Sequence, residues 1–263
     1  MLALICGTGA LPAKVAAAQA VKPLVCVLDG FSPDELDADL TFGIGTLGSL
    51  LIDLGHNGVT EVCFCGAIER PALDPVKVDE HTKPLIPLIA GAISSGDDGA
   101  LRAIMGLFEQ TGFTVRAAHE LAPDLVAQPG VLSDAWPDAQ MRTDAKLGAD
   151  ILAALAPMDV GQACVTGGGQ LLGMETVAGT DFLLSTLPDT PLLKHGVLVK
   201  GPKVGQDARA DMPTIGPKTV DAVVAAGLAG IVIDAGDVIL LETERCVDLA
   251  NAAGIVLWSR IGS

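Results

Sequence analysis

The chain has 263 residues, of which 50% are hydrophobic and 18% are charged, and its formal net charge is −16. This length favours two domains, since a domain usually holds about 100 to 200 residues, and the composition excludes an intrinsically disordered chain. The acidic balance and the scarcity of aromatic residues exclude general nucleic-acid binding, because neither a broad basic face nor a stacking platform is available. The same charge opposes electrostatic adsorption to an anionic membrane.

The amino terminus is typical of a first β-strand. Residues 2–6 form a short apolar run that lacks a positively charged flank and meets a turn at Gly7, unlike a secretory signal. No apolar run approaches the roughly 18 residues of a membrane-spanning helix. We therefore expect a cytoplasmic protein without a transmembrane segment.

Strand patterns alternate with helical patterns in the first half of the chain. Short apolar runs are followed by longer periodic segments, which predicts an α/β domain with a parallel sheet covered by helices. Strands are expected at residues 2–6, 24–28, 61–65 and 113–117, and helices at 13–20, at 47–54 and between an Asp97-Asp98 cap and Gly112.

The alternation breaks near residue 130, which divides the chain into predicted domains 1–130 and 134–263. The second half combines a helical pattern at 142–155 with strand-like runs on both sides of a glycine triplet at 167–169, and such a triplet indicates a hairpin. Further strand and helix patterns continue to residue 258. We therefore expect a second, mixed α/β domain, and its strand order stays open at this point.

Residues 200–216, called the charged segment below, are the most informative stretch. Lys200, Lys203 and Arg209 stand there in an otherwise acidic half, which predicts a local anion site. Asp207 and Asp211 lie among these cations, so the same stretch could hold magnesium against a phosphate. An apolar periodic helix follows, and its amino terminus would direct free amides towards the segment. The alternative is a solvated turn held by salt bridges.

The turn after the first strand is a second candidate anion site. Gly7 and Gly9 match the start of a dinucleotide fingerprint, whereas Pro12 occupies the position of its third glycine. The turn therefore predicts either a phosphate contact or a plain connection. Asp29 follows the second strand, at the distance of the acidic residue of such a fingerprint, and could equally cap a turn with Gly30.

Several other polar residues have both a functional and a structural interpretation. Arg70 follows the third strand, where ligands bind in open α/β sheets, but an exposed arginine is usually just solvated. Asp97 and Asp98 are candidates for substrate binding or for capping a helix. Amide and carboxylate groups at strand ends of the second half could converge with the charged segment, or could form turns and caps. These groups are Gln162, Glu175 and Asp181.

Other kinds of catalytic site lack support in the sequence. The four histidines have no zinc-ligand spacing, and no serine lies in a nucleophile elbow. The six cysteines lie mostly in apolar strand-like segments, which favours core packing over redox or metal chemistry.

Taken in order, these motifs resemble the LpxI-type UDP-2,3-diacylglucosamine pyrophosphatases over nearly the whole chain. Each motif alone is weak, whereas the ordered set is specific. The motifs are Gly7-x-Gly9-x-Leu11-Pro12, Arg70-Pro71, Gly96-Asp97-Asp98, Asp159-Val-Gly-Gln162, Glu175-x-x-x-Gly179-Thr180-Asp181 and Lys200-x-x-Lys203-x-Gly-Gln206-Asp207-x-Arg209-x-Asp211-x-Pro213-Thr214-Ile215-Gly216.

The resemblance implies a Mg²⁺-dependent hydrolase of lipid A biosynthesis that cleaves UDP-2,3-diacylglucosamine to UMP and 2,3-diacylglucosamine 1-phosphate. It also implies a Rossmann-like amino-terminal domain, with the lipid held in a chamber between the two domains. The implied catalytic residues are Lys203, Gln206, Asp207, Arg209 and Asp211. The implied metal ligands are Glu175, Asp181, Asp207 and Asp211. The implied substrate contacts are Gly7, Gly9, Arg70, Asp97, Asp98, Gln162, Thr180, Lys200 and Thr214.

Two other functions stay open from the residues alone. One is hydrolysis of a soluble nucleotide sugar, and the other is a noncatalytic nucleotide-binding regulator in which Asp207 and Asp211 merely hold a loop. A lipid substrate would bring the protein into transient contact with the inner membrane, and a homo-oligomer is compatible with the sequence.

Overall fold

A parallel sheet with covering helices forms the first half of the chain, as the sequence predicts. The structure is a computed structural model that describes residues 1–68, 74–94, 97–203, 205, 207–209 and 211–262. The described residues form two compact units. The first contains Met1–Pro123 together with Asp207–Asp211, and the second contains Asp124–Gln206 and Met212–Ser263.

The first unit is built on five parallel strands within its described residues, in the order β3-β2-β1-β4-β5. The confirmed strands are buried apolar runs, because both faces of a parallel sheet are covered by helices. The strands are β1 (Leu2–Cys6), β2 (Leu24–Leu28), β3 (Leu40–Phe42), β4 (Glu61–Cys65) and β5 (Thr114–Arg116). The helices are α1 (Leu11–Ala17), α2 (Leu47–His56), α3 (Ile86–Ser94), α4 (Asp97–Gln110) and α5 (Ala118–Leu121).

The second unit has a mixed sheet of six strands within the described residues, in the order β6-β13-β11-β9-β7-β8. A short parallel pair, β10 with β12, is separate from it. The strands are β6 (Gly130–Val131), β7 (Ala163–Gly167), β8 (Gln170–Met174), β9 (Val197–Lys200), β10 (Thr214–Ile215), β11 (Gly230–Asp234), β12 (Ile239–Leu240) and β13 (Val256–Arg260). The helices are α6 (Ala139–Leu155), α7 (Gly179–Ser185), α8 (Pro217–Ala225) and α9 (Thr243–Ala253).

The predicted α/β class is confirmed, and the glycine triplet does join an antiparallel hairpin, β7 with β8. The compact units differ from the predicted segments at two points. Residues 124–130 group with the second unit, where β6 pairs with β13, and Asp207–Asp211 group with the first.

Each unit has its own apolar core. Phe108, Leu47 and Leu54 are among the fully enclosed side chains of the first, and Ile231 and Ile233 are among those of the second. Burial of these side chains is the main stabilising contribution, about 1.5–3 kcal/mol for each large apolar group.

The six cysteines are buried free thiols. Burial raises the pKa of the Cys26, Cys164 and Cys246 thiols to about 12. These three thiols therefore stay protonated at neutral pH, and a thiol rather than a thiolate is a poor nucleophile. Their role is core packing, as the apolar sequence context predicts.

Candidate active site

A buried lysine ends the central strand of the second unit. Lys200 is the last residue of β9, which lies between β7 and β11, and only 8% of its surface is exposed. A buried ammonium is costly unless it is hydrogen-bonded and its charge is balanced. The groups that hydrogen-bond to the ammonium and balance its charge therefore determine which ligand Lys200 can bind.

A chain of hydrogen bonds connects Lys200 to a buried carboxylate. The Lys200 Nζ donates to Thr180 Oγ1 over 2.9 Å, and this hydroxyl donates in turn to Glu175 Oε1. The other carboxylate oxygen, Glu175 Oε2, accepts from the Gln162 backbone N–H at 2.7 Å. The negative charge of Glu175 thus balances the ammonium through a hydroxyl. Glu175 directly follows β8 and Thr180 lies in α7, the helix after it. The positions of β8 and β9 in the sheet thus bring the three side chains together.

The side chain of Gln162 adds an unused acceptor beside this network. The backbone carbonyl of Gln162 accepts from the Gly201 N–H at 3.1 Å, which fixes the residue next to the end of β9. In the part of the chain that the structure describes, its buried Oε1 has no hydrogen-bond partner. A buried acceptor without a donor is destabilising, and a ligand that donates to it would remove that cost.

Lys203 is held by an acidic side chain of the same unit. Its ammonium forms an ion pair with Asp159 Oδ1, and the lysine side chain is largely buried. Asp159 ends a short 3₁₀ turn with a left-handed backbone, φ 52°. In the Asp-Val-Gly-Gln motif, Asp159 thus binds the Lys203 ammonium and Gln162 supplies the free acceptor.

The middle part of the charged segment, Asp207–Asp211, lies in the first unit. The Arg209 guanidinium forms a forked pair with Asp207, in which Nε donates to Oδ1 at 2.9 Å and Nη2 donates to Oδ2 at 2.6 Å. Its Nη1 donates to Glu109 Oε1 of α4 at 2.6 Å. Two parallel N–H···O bonds fix the plane of the guanidinium as well as its position.

This forked pair changes the acidity of Asp207. The hydrogen bonds from Arg209 lower the pKa of the Asp207 carboxyl below its ordinary value of 3.8, against the opposing effect of partial burial. The same bonds, with those to Glu109, raise the pKa of Arg209. Both groups are therefore charged throughout the physiological pH range.

The predicted metal ligands have the right chemistry for magnesium, which prefers hard oxygen donors. Among the described residues, however, no group of three or more His, Cys, Asp or Glu side chains could hold a metal ion. Glu175 is engaged by Thr180, Asp207 is engaged by Arg209, and Asp181 is exposed in the first turn of α7. Magnesium commonly binds through one or two carboxylates plus substrate phosphates, so the donor set fits an ion that is shared with a diphosphate.

The remaining predicted site residues have varied surroundings. Asp97 and Asp98 begin α4, and Thr214 lies in β10, where its hydroxyl donates to the Met212 carbonyl at 3.0 Å. Arg70 and Gln206 lie outside the described residues.

The glycine turn after β1 has a structural role. The Gly7 N–H donates to the Cys65 carbonyl at 2.9 Å, and the Thr8 N–H donates to the Ala67 carbonyl at 2.8 Å. These two amides are thus engaged with the last residue of β4 and with the chain that follows it. Gly9 has a φ of 93°, which favours glycine. A phosphate contact through Gly7 or Gly9 stays a prediction.

We expect Gly7→Ala to destabilise the protein by about 2 kcal/mol or more. A Cβ at this position would lie 2.3 Å from the Ala67 carbonyl oxygen, so the backbone of the turn would have to move. Gly55→Ala is the matched control, because Gly55 lies in α2 with open space around it and alanine is the better helix former by up to about 1 kcal/mol. Urea unfolding of both variants measures the difference, and equal midpoints would contradict the close approach.

The sequence does not reveal the carboxylate partners of Lys203 and Arg209. Asp159 stands out only as part of a motif, and no motif contains Glu109. Glu109 is on the exposed side of a helix 100 residues away from Arg209, and no local pattern marks such a pair.

Comparison with known proteins decides the family. The LpxI N-terminal domain model matches residues 1–125, and the LpxI C-terminal domain model matches residues 128–258. The chain belongs to the LpxI family. A relative from Caulobacter vibrioides, UDP-2,3-diacylglucosamine pyrophosphatase LpxI, is 33% identical over 268 residues, which cover 97% of this chain and 95% of the relative. The resemblance expected from the ordered motifs is therefore confirmed. No helix among the described residues is long and apolar enough to cross a membrane.

Proposed function

We propose that this LpxI-family chain hydrolyses the diphosphate of UDP-2,3-diacylglucosamine, releasing UMP and 2,3-diacylglucosamine 1-phosphate for lipid A biosynthesis. The name of the Caulobacter relative supports this substrate. The charge arrangement of the second unit supports an anionic ligand independently of that name.

The buried ammonium of Lys200 is the observation that carries the proposal. In the described part of the chain it makes one hydrogen bond, to Thr180, although an ammonium has three donors. Its remaining N–H groups are available to a ligand. A phosphate oxygen is well suited to them, because the desolvated ammonium interacts with it more strongly than an exposed one would.

The other polar residues have complementary roles in this proposal. Lys203 and Arg209, each fixed by a carboxylate, would neutralise non-bridging oxygens as charge spreads over the phosphates. Gln162 Oε1 would accept a hydrogen bond from the sugar, whose amide N–H and hydroxyls are donors. Thr214 and Gln206 would hydrogen-bond to phosphate oxygens, and Asp207 or Asp211 would orient the attacking water. Transient contact of the protein with the inner membrane, a cytoplasmic location and a homo-oligomeric state remain predictions.

We propose magnesium as the cofactor. Asp207 and Asp211 would hold it, with Asp181 and Glu175 as further candidate ligands. When bound, the ion would neutralise negative charge on the diphosphate and on the departing phosphate. The protein residues would bind the substrate, orient it and hold the water.

The proposal is tested by measuring UMP release from UDP-2,3-diacylglucosamine by the purified protein. We expect activity with magnesium, loss of activity with EDTA, and a decrease in kcat/KM of about 100- to 1,000-fold in Lys200→Met, since preorganised donors contribute that much to catalysis. Lys194→Met is the matched control, because Lys194 is an exposed lysine shortly before β9, and its activity should stay within twofold of wild type.

Folding of the Lys200 variant is checked separately by circular dichroism and thermal unfolding. A folded Lys200→Met variant with wild-type turnover would exclude the buried ammonium from the mechanism. Equally fast hydrolysis of UDP-glucose would indicate a soluble nucleotide sugar as the substrate, and undiminished activity in EDTA would exclude the metal.

A further inference from the structure

A cavity of about 610 Å³ opens in the first unit at the carboxyl end of β2. It lies within the size range of small-molecule sites, about 300–1,000 Å³. Its walls come from the last residues of β2, the loop that follows, and Thr41 of β3. None of the residues discussed above for diphosphate hydrolysis lines this cavity.

The charged residues of the cavity are all acidic. Asp29, Glu35 and Asp37 line it together with Ser32 and Thr41, and no lysine or arginine is among its lining residues. Three carboxylates without a cation repel a phosphate group. They favour a neutral ligand that is rich in O–H or N–H donors, such as the vicinal hydroxyls of a sugar.

Asp29 occupies the key position of the cavity. It follows β2 directly, and its backbone N–H donates to the Phe42 carbonyl at 2.7 Å, which anchors this residue to the neighbouring strand. Among the described residues, no hydrogen bond or ion pair involves the Asp29 carboxylate. The residue is also exposed, so the two carboxylate oxygens are available to a ligand.

The cavity also lies next to the glycine turn of the parallel sheet. The loop that forms its wall is tied to this turn, since the Asp34 N–H donates to the Gly9 carbonyl at 3.0 Å and Gly9 pairs with Pro33. In open parallel sheets, ligands bind outside the carboxyl ends of the strands, and an acidic residue after the second strand accepts hydrogen bonds from ribose hydroxyls. The strand order, the cavity and the free Asp29 carboxylate therefore all indicate a ligand site at this edge of the sheet.

We propose that this cavity binds the ribose of the nucleotide, with the Asp29 carboxylate accepting hydrogen bonds from the 2′- and 3′-hydroxyls. The identity of the nucleotide as UMP rests on the proposed function. The acidic walls keep the phosphate outside the cavity, so the ribose enters it and the phosphate faces away. Asp29 is then a specificity-determining residue that distinguishes ribonucleotides from deoxyribonucleotides.

Calorimetric titration with UMP and with 2′-deoxy-UMP tests the inference on the full chain. We expect wild type to bind UMP at least 10-fold more tightly than 2′-deoxy-UMP, because a hydrogen bond to a charged carboxylate is among the stronger ones. Asp29→Ala should weaken UMP binding at least 10-fold and bring the two affinities to within about twofold of each other. Asp53→Ala is the control, since it removes an exposed carboxylate of α2 outside the cavity.

Equal wild-type affinities for the two nucleotides, or unchanged UMP binding in Asp29→Ala, would overturn the inference. These outcomes differ from a failure of the proposed function. If the lipid substrate is hydrolysed and Lys200→Met is inactive while Asp29→Ala binds UMP normally, only the ribose site is wrong. If the lipid substrate is not hydrolysed but UMP is preferred through Asp29, the ribose site holds and the proposed hydrolysis is wrong.

Discussion

Asp207→Ala is expected to lower kcat/KM for UMP release by about 100- to 1,000-fold. The substitution removes both oxygens that fix the Arg209 guanidinium in the forked pair, and it also removes a proposed magnesium ligand. An arginine that is no longer preorganised contributes much less to stabilising charge on a phosphate. Steady-state assays at saturating magnesium, with thermal unfolding as a check on folding, measure the effect.

Glu109→Ala is the matched control for this prediction. It removes the other carboxylate bound to Arg209 but leaves the forked pair and the proposed metal ligands intact. We expect a decrease of less than about fivefold, since single exposed ion pairs contribute little. If Asp207→Ala were as active as wild type, the charged segment would have only a structural role.

The lowered pKa of Asp207 gives this pair a defined pH dependence. Because the pKa of the carboxyl is lower in the folded protein than its ordinary value of 3.8, the pair stabilises the fold above that value. This stabilisation decreases as the pH falls through the lowered pKa. The difference in stability between wild type and Asp207→Ala should therefore be constant near neutrality and disappear in strong acid.

Asp144→Ala is expected to destabilise the protein by about 3 kcal/mol. Asp144 of α6 is fully buried, and its carboxylate accepts hydrogen bonds from the Gly168 and Gly169 N–H groups at 3.0 and 2.7 Å and from Gln140 at 3.1 Å. Hydrogen bonds to charged groups contribute about 1.5–3 kcal/mol each, and the variant leaves the two backbone donors of the hairpin without their partner. We expect the Tm to fall by roughly 6–12 °C.

Asp150→Ala is the control on the same helix. Asp150 forms an exposed pair with Lys146, and such pairs contribute about 0–1 kcal/mol. Scanning calorimetry of the two variants compares the contribution of the buried carboxylate to the Tm with that of the exposed one. Equal Tm values would show that Asp144 does not hold the β7–β8 hairpin.

Much of the fold could be predicted because it depends on short segments of sequence. The apolar runs at β1, β2 and β4 and the periodic segments at α2, α4 and α6 each contain enough residues to reveal their period. Two of the short strands, β3 and β6, were not predicted. Strand β3 has three residues and β6 has two, and each is a strand only because a longer neighbour pairs with it.

The candidate site was predictable in its residue types but not in its contacts. The charged segment indicated an anion site, and the family resemblance predicted Lys200 and Thr180 as substrate contacts. Their connection to Glu175 through a hydroxyl depends on how β8 and β9 are placed in the sheet. The cavity beside Asp29 likewise depends on the loop that returns from β2 to β3.

The sequence by itself determined the α/β class, the ordered motifs that place the chain in the LpxI family, and the accumulation of cations in residues 200–216. These features are local, so each is complete within a few turns of chain. Only the tertiary structure decided that Arg209 binds Glu109, that Asp207–Asp211 group with the first unit, and that a free carboxylate lines a cavity. These depend on packing between distant segments, which is set by the summed burial of many side chains and leaves no mark in any single stretch of sequence.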